Sequence, residues 1–285
     1  MISDKERIIR WFYRQDWPEG ELLFPSQLYQ ASRKVLGKLP QDAERYVHAN
    51  QTRLWNALKK QQKLDISLGR YCLFRITDNS GMKAIWRRSL GIGTLSTATL
   101  RIETRWRARP HLLAAIDVLS DRQYEALGCV TSKLVGADYI HLTPPGNEGG
   151  IDFLCRIPAP ARTHIFGGAH SPIRVVGQCK KYKSKVGVEK IRDFAKTLDD
   201  VRHRAQHLEQ IVPHWFRSTP GPVIGWVIGH SGFQSGAVTI SNNHGIVLSN
   251  SIDLGEVIAT SKSFYEDFPP RGRASMLGKE IANFL

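Results

Sequence analysis

From Asp117 onward the chain alternates short apolar runs with amphipathic stretches, and this alternation restricts the fold more than any other feature. The runs IDFLCRI (151–157), IRVVGQCK (173–180), PVIGWVIGH (222–230) and GIVLSN (245–250) have strand length. Between the later ones lie GVEKIRDFAKTLDDVRHRAQHL (187–208) and FQSGAVTISNN (233–243), both helical in pattern. SDRQYEALGCVTSKLVGA (120–137) is a helix that Ser120 or Asp121 can cap, and DYIHLT (138–143) reads as a short extended link. Apolar strands separated by amphipathic helices form an α/β sheet.

The first 110 residues follow another pattern. Ser3, with Glu6 three residues later, opens a helix over 3–15 that carries Ile8, Ile9, Trp11, Phe12 and Tyr13. After a Pro-containing break, SQLYQASRKVL (26–36) sets Leu28, Ala31, Val35 and Leu36 close to one helical face. In DAERYVHANQTRLWNALKKQQ (42–62) the residues Tyr46, Val47, Leu54 and Leu58 turn inward, and Arg45, Arg53, Lys59 and Lys60 turn outward. KLDISLGRYCLFRIT (63–77) reads as a hairpin around Leu68-Gly69-Arg70. Three helices followed by a hairpin is the order of a winged helix, which predicts a winged-helix-like DNA-binding domain over 1–79. Arg45, Arg53, Lys59, Lys60, Lys63 and Arg70 would then face phosphates. A helical packing or dimerisation domain with a basic outer face is the other reading. Residues 80–112 read as a basic, partly extended linker in which Arg101, Arg105, Arg107 and Arg109 could meet a nucleic-acid backbone, and 113–285 as the remaining domain.

Charge supports a polyanionic partner. The net charge is +14. Residues 1–110 hold 21 Lys and Arg against 10 Asp and Glu, and residues 111–285 hold 19 against 16, so the excess is +11 in the first part and +3 in the second. A solvated basic surface serving solubility alone is the bland alternative. No window approaches 18 uninterrupted apolar residues, and the charged N-terminal stretch lacks a signal-peptide core, which predicts a cytoplasmic protein without a membrane partner. Cys72, Cys129, Cys155 and Cys179 show no C-x-x-C spacing and read as reduced core residues.

One constellation carries chemistry. Asp152 opens one apolar run and Lys180 closes the next, so two adjacent antiparallel strands would bring a carboxylate and an amine to the same end of a sheet. A carboxylate there can hold Mg²⁺, which accepts few protein ligands and keeps waters. Lys180 could also belong to a plain phosphate-binding run with Lys181, Lys183 and Lys185.

YEALGCVTSKLVGA, GNEGGID, GQCKKYKSKVGVEKIRDF and SGFQSGAVTISNNHGIVLSNSIDL resemble, in that order, the catalytic domain of Mrr-like restriction endonucleases, members of the PD-(D/E)XK nuclease superfamily. The resemblance covers roughly residues 117–260. It implies a restriction-endonuclease-like α/β/α sandwich and a DNA endonuclease that uses Mg²⁺, for which Mn²⁺ can substitute. Glu125 becomes the helix acid, Asp152 the metal carboxylate, Gln178 the occupant of the usual second acidic position and Lys180 the catalytic lysine. The Cys179 carbonyl becomes a further metal ligand, and Lys181 and Lys183 join the DNA-binding set. Glu is the commoner residue at the second acidic position, so Gln178→Glu is expected to be tolerated or to change metal preference. Restriction-type action further implies double-stranded DNA as partner, a homodimer or higher oligomer, and room for an activating partner subunit. A DNA-binding scaffold with a nuclease-like fold and a structure-selective nuclease such as a junction resolvase remain as alternatives. The chain departs from the family in having 25 residues between Asp152 and Gln178, which read as a lengthened hairpin, a substrate-contacting flap or an inert insertion.

Overall fold

The structure is a computed structural model that describes residues 3–18, 20–67, 72, 74–79, 81–87, 107–146, 149–158, 171–261 and 270–285. The chain divides into two units, residues 1–114 with 262–273, and residues 115–261 with 274–285.

The first unit contains helices α1 (Asp4–Tyr13), α2 (Phe24–Leu36) and α3 (Pro40–Ser67), with strands β1 (Glu21–Leu23), β2 (Phe74–Asn79) and β3 (Met82–Arg87). The strands form an antiparallel sheet in the order β1-β3-β2. Ser3 caps α1 by accepting from the Glu6 N–H, and α2 ends at Gly37 in the left-handed region, φ 67°. Aromatic rings fill the core: Phe12 stacks on Trp17 at 5.6 Å, and Phe24 lies 4.9 Å from Trp55.

The hairpin falls elsewhere than the sequence pattern put it. Helix α3 continues to Ser67, and the reversal comes between Asn79 and Met82, with Gly81 at φ 85°. The extra turns of α3 are anchored by a polar contact that hydrophobic periodicity does not register. Asp65, only 2% exposed, accepts a hydrogen bond from the Tyr13 hydroxyl and another from the Gln61 amide. Burial first, then Cys72 and this carboxylate, raise the Tyr13 hydroxyl pKa well above the usual tyrosine range. Strand β3 therefore occupies part of the stretch read as linker.

The second unit begins within α4 (Arg109–Val118) and continues through α5 (Asp121–Leu134), β4 (Tyr139–Leu142), β5 (Phe153–Ile157), β6 (Ile173–Lys180), α6 (Val188–Arg202), α7 (His214–Ser218), β7 (Val223–Gly229), α8 (Ser235–Asn243), β8 (Ile246–Asn250), α9 (Ser251–Thr260) and α10 (Pro270–Ala282), the last of which also begins in the first unit. The sheet order is β4-β5-β6-β7-β8, antiparallel from β4 to β6 and parallel from β6 to β8. The parallel pairs need crossovers, which α6 and α8 provide. Leu154, Val176 and Val227 bury one face of the sheet with Ile191, Phe194 and Leu198 of α6. On the other face Phe153 meets α5, completing a mixed α/β sandwich. Segment 138–143, read as a link, contains edge strand β4, whose exposed and half-buried side chains give no apolar run. Of the lengthened β5–β6 connection, residues 159–170 lie outside the described residues.

Close approach of α5 depends on two glycines. A Cβ at Gly177 would sit 2.1 Å from the Phe153 ring, and one at Gly128 would sit 2.6 Å from it. The ring is fully buried between them and has nowhere to move. Gly177→Ala should destabilise the protein by about 3 kcal/mol, the upper part of the range for overpacked cores, and Phe153→Leu in the same chain should recover part of the loss. Urea unfolding of the two variants checks this; equal stability of Gly177→Ala and the parent would mean that the notch is not tight.

Candidate active site

Asp152 lies immediately before β5, where Phe153 pairs with Gly177 of β6. Its N–H donates to the Gly177 carbonyl at 2.9 Å, and its carboxylate Oδ2 accepts from the Cys179 N–H at 2.5 Å. The side chain is 8% exposed. This hydrogen bond from the backbone fixes the orientation of the carboxylate. Thr143, just past β4, holds the same strand end by donating its hydroxyl to the carbonyls of Ile151 (2.7 Å) and Asp152 (2.9 Å).

Lys180 closes β6 two residues beyond Gln178, pairs with Gly229 of β7, and accepts the His230 N–H on its carbonyl at 2.9 Å. Gly177 and Cys179 face α5, as shown by the Phe153 ring and by the Cys179 Sγ lying 3.2 Å from where a Gly128 Cβ would be. Strand alternation therefore puts Val176, Gln178 and Lys180 on the opposite face. The antiparallel β5–β6 pairing that the sequence only posed as a condition is present, and it brings Asp152 and Lys180 to one end of the sheet.

Glu125 arrives from α5, whose N-terminus is a capping box formed by Ser120 and Gln123. Its carboxylate pairs with Arg122 at 2.7 Å, and Arg122 also donates to the Thr143 carbonyl at 2.6 Å. Arg122 thus ties the helix acid to the strand end that carries Asp152. The buried thiols report the same proximity. Burial first, then Asp152, Cys129 and Glu125, push the Cys179 thiol far up, with Lys180 opposing. Cys129 is pushed up by burial, Cys155, Glu125 and Asp152, with Arg122 opposing. Both carboxylates therefore act on the same two thiols, which stay protonated. The cysteines are free and buried, as their spacing predicted.

Gln178, 7% exposed, donates its amide Nε2 to the Gly150 carbonyl at 2.7 Å. Gly149 and Gly150 have φ of 56° and 82°, which glycine adopts without strain, and Thr197 of α6 donates to the Gly149 carbonyl at 3.2 Å. Gln178 is therefore the strut of the glycine turn leading into Asp152. A carboxylate at this position would face a carbonyl oxygen, so the expectation that Glu is tolerated there does not fit the geometry. The loop after Lys180 is fastened too: Ser231 donates to the Tyr182 carbonyl at 2.6 Å, and Gln234 N–H to the Val186 carbonyl at 3.0 Å.

The proposed phosphate-facing cations divide. Arg53, Lys60 and Lys63 on α3 and Lys183 after β6 are exposed. Arg45 is exposed and pairs with Asp42 at 2.8 Å. Lys59 pairs with Asp78 of β2 at 3.6 Å and lies over the Trp55 ring. Lys181 donates to the Leu119 carbonyl, which engages its ammonium within the protein. Arg107 is half-buried and Arg109 is 1% exposed, so Arg109 cannot meet a nucleic-acid backbone. Arg70, Arg101 and Arg105 lie outside the described residues. The sequence reading missed Arg122, Thr143 and Thr197. Only Arg122 gave a signal, its spacing of three from Glu125 on one helix.

Residues 116–218 match the model of the Mrr catalytic domain, described as a restriction endonuclease. This segment is an Mrr-like restriction endonuclease domain. It contains Glu125, Asp152, Gln178 and Lys180, and the strands β7 and β8 that complete the sheet lie beyond it. Among solved structures, MspJI restriction endonuclease in complex with a 27-mer oligonucleotide is similar at 18% identity over 70% of this chain and 41% of that one, with a TM-score of 0.42. The DNA modification-dependent restriction endonuclease AspBHI is similar at 16% identity over 71% of this chain and 45% of that one, TM-score 0.38. Restriction endonuclease FokI is similar at 11% identity over 92% of this chain and 46% of that one, TM-score 0.38. The chain thus spans less than half the length of each. No curated protein matches it.

Gln178→Glu should destabilise the protein by about 1–3 kcal/mol near neutral pH, because the Gly150 carbonyl loses its donor and a buried carboxylate replaces it. Burial raises the folded-state pKa of such a carboxyl above its unfolded value of about 4.3. The variant is therefore least impaired below that value and weakens as pH rises through the folded-state pKa. Urea unfolding at pH 5 and pH 8 checks this, and an equal deficit at both would remove the buried carboxylate as its cause.

Proposed function

We propose that this protein is a divalent-metal-dependent endonuclease of double-stranded DNA, acting in restriction-type defence against foreign or modified DNA. The observation that supports it most is the convergence of Asp152 and Lys180, with Glu125 beside them, inside an Mrr-like restriction endonuclease domain. The donor set fits a hard cation. The candidate donors are oxygens, the carboxylates of Asp152 and Glu125 and, as the family resemblance implies, the Cys179 carbonyl, and no cluster of three or more His, Cys, Asp and Glu suited to a metal occurs among the described residues. Mg²⁺ is satisfied by few protein oxygens and several waters, and Mn²⁺ accepts the same donors.

Glu125, Asp152 and the Cys179 carbonyl would hold the ion. When bound, it supplies positive charge to the scissile phosphate and to an attacking water. The remaining work belongs to the chain. Lys180 orients the water and stabilises charge on the phosphate oxygens. The Cys179 N–H aims Asp152, and Arg122 holds Glu125 toward the strand end. Gln178 contributes no charge and positions the turn before Asp152. With Gln in place of a third acid, two carboxylates balance the charge of the ion, so each of them matters more.

The first unit, in this reading, is the DNA reader. Its element order is helix, strand, helix, helix, strand, strand, and its α3 presents Arg53, Lys60 and Lys63 to solvent. Cutting both strands of a duplex needs two sites, which a homodimer provides, and an activating subunit is compatible with the same chemistry. No described helix is long and apolar enough to cross a membrane.

Methylated and unmethylated plasmids incubated with the protein should be nicked or cut in Mg²⁺ and left intact in EDTA. Lys180→Ala and Asp152→Ala should each abolish cleavage while DNA binding persists. Wild-type cleavage by either variant would remove the site assignment, and a wild-type protein that binds both plasmids but never cuts would favour the scaffold reading. Changing Arg53, Lys60 and Lys63 together to Ala should flatten the log–log salt dependence of duplex affinity by roughly 2–3 units, at about 0.9 per phosphate contact. Lys59→Ala should change it less, since Asp78 already engages that ammonium. An unchanged slope in the triple variant would turn the first unit from a reader into an assembly module.

A further inference from the structure

A cavity of about 450 Å³ opens in the second unit where α6 ends. Its lining includes Arg174, near the start of β6, Arg202 and Arg204 at the end of α6, and Arg217 in α7. Glu209 is the single acid in that lining, and Leu208, Val212 and Phe216 supply its apolar part. Arg174 and Lys180 are six residues apart on β6, roughly 20 Å at strand rise, so this cavity is at the far end of the sheet from the candidate active site.

Backbone carbonyls place two of the four arginines, Arg174 and Arg202, and acids pair with two, Arg202 and Arg217. Arg174 donates to the carbonyls of Phe216 (3.0 Å) and Gly221 (2.7 Å), and Arg202 to the carbonyl of Val223 through Nε and Nη2. Carbonyls fix a guanidinium but leave its charge. Arg217 shares Glu209 at 3.1 Å, and Asp199, outside the lining, takes Arg202 at 3.1 Å. The Nε atoms of Arg174 and Arg217 are buried with no hydrogen-bond partner.

Arg204 is the most informative of the four. It has φ 55°, the sole positive φ outside glycine among the described residues. It sits one residue past His203, the C-cap of α6, at the position where glycine ends helices without strain. Its charge falls on Arg174: burial first, then Arg204, weakens the hold of Arg174 on its proton. An exposed arginine at a positive φ, lining the same cavity as a second arginine on which its charge acts, favours an anion there.

We infer that this cavity is a binding site for a phosphorylated small molecule of nucleotide size, with its phosphates on Arg204, Arg174 and Arg217 and its apolar part along Leu208, Val212 and Phe216. Arginine forks match phosphate oxygens, and the volume is that of a small-molecule pocket. A duplex backbone would meet the arginines but leave the apolar part of the cavity uncovered.

Calorimetric titration of the full chain with ATP, GTP, inorganic phosphate and a DNA duplex tests the assignment, together with Arg204→Gly, Arg217→Gln and Lys180→Ala. Arg204→Gly removes the cation and relieves the positive φ, so its melting temperature should stay level or rise. Nucleotide affinity should fall about tenfold in that variant, through loss of a charge-assisted contact, should fall in Arg217→Gln, and should be unchanged in Lys180→Ala. A nucleoside triphosphate should bind more tightly than inorganic phosphate. The inference is overturned if neither triphosphate binds the parent at millimolar concentration, if inorganic phosphate binds as well as they do, or if Arg204→Gly leaves their affinity intact. It is also overturned if that variant weakens duplex binding alone, which would make the cavity part of the DNA path.

Discussion

The Phe153 ring, lodged between Gly128 of α5 and Gly177 of β6, is the contact on which the catalytic unit depends. Because neither glycine presents a Cβ, the helix descends close to the sheet at the point where β5 and β6 pair. That approach brings Glu125 to the end of the sheet where Asp152 lies. It also closes Cys129 and Cys179 into the layer between helix and sheet, where burial, and after it both carboxylates, keep them protonated. Core packing and site geometry here share one determinant, and a single methyl group at Gly177 would disturb both.

Around that contact the site is braced by neutral or backbone partners. Asp152 is aimed by the Cys179 N–H and held by Thr143, the glycine turn is held by Gln178 and Thr197, and the Lys180 carbonyl is held by the His230 N–H. Arg122 adds an ion pair and a second bond to a carbonyl. A neutral donor positions an oxygen without adding charge to the site. Gln178 fits this logic better than a third acid would, since an amide can donate to the Gly150 carbonyl and a carboxylate cannot.

The sequence disclosed the parts whose partners are local or periodic. Apolar runs marked β5 to β8, helical spacing marked α1, α2, α5 and α6, and the positions of Asp152 and Lys180 at run ends indicated a shared sheet end once the strands were assumed adjacent. What stayed hidden depends on distant partners. The extension of α3 rests on Tyr13 and Asp65, 52 residues apart, and the role of Gln178 rests on a carbonyl 28 residues away. Lys59 and Lys181 looked like free surface cations, but Asp78 and the Leu119 carbonyl engage them through the fold. Strand β4 escaped because an edge strand needs no continuous apolar run.

Strand β6 carries a cation near each end, and their surroundings separate their chemistry. Lys180 stands at an end with Asp152 and Glu125, where, on the proposed function, an ammonium among carboxylates would meet a transferring phosphate. Arg174 stands at an end with three further arginines and one lining acid, where held guanidiniums suit a phosphate that is bound and left intact. The strand between them keeps these two cationic positions roughly 20 Å apart. The two ends also share a helix: Arg202 closes α6, Arg204 follows two residues later, and Thr197 of the same helix holds the turn before Asp152.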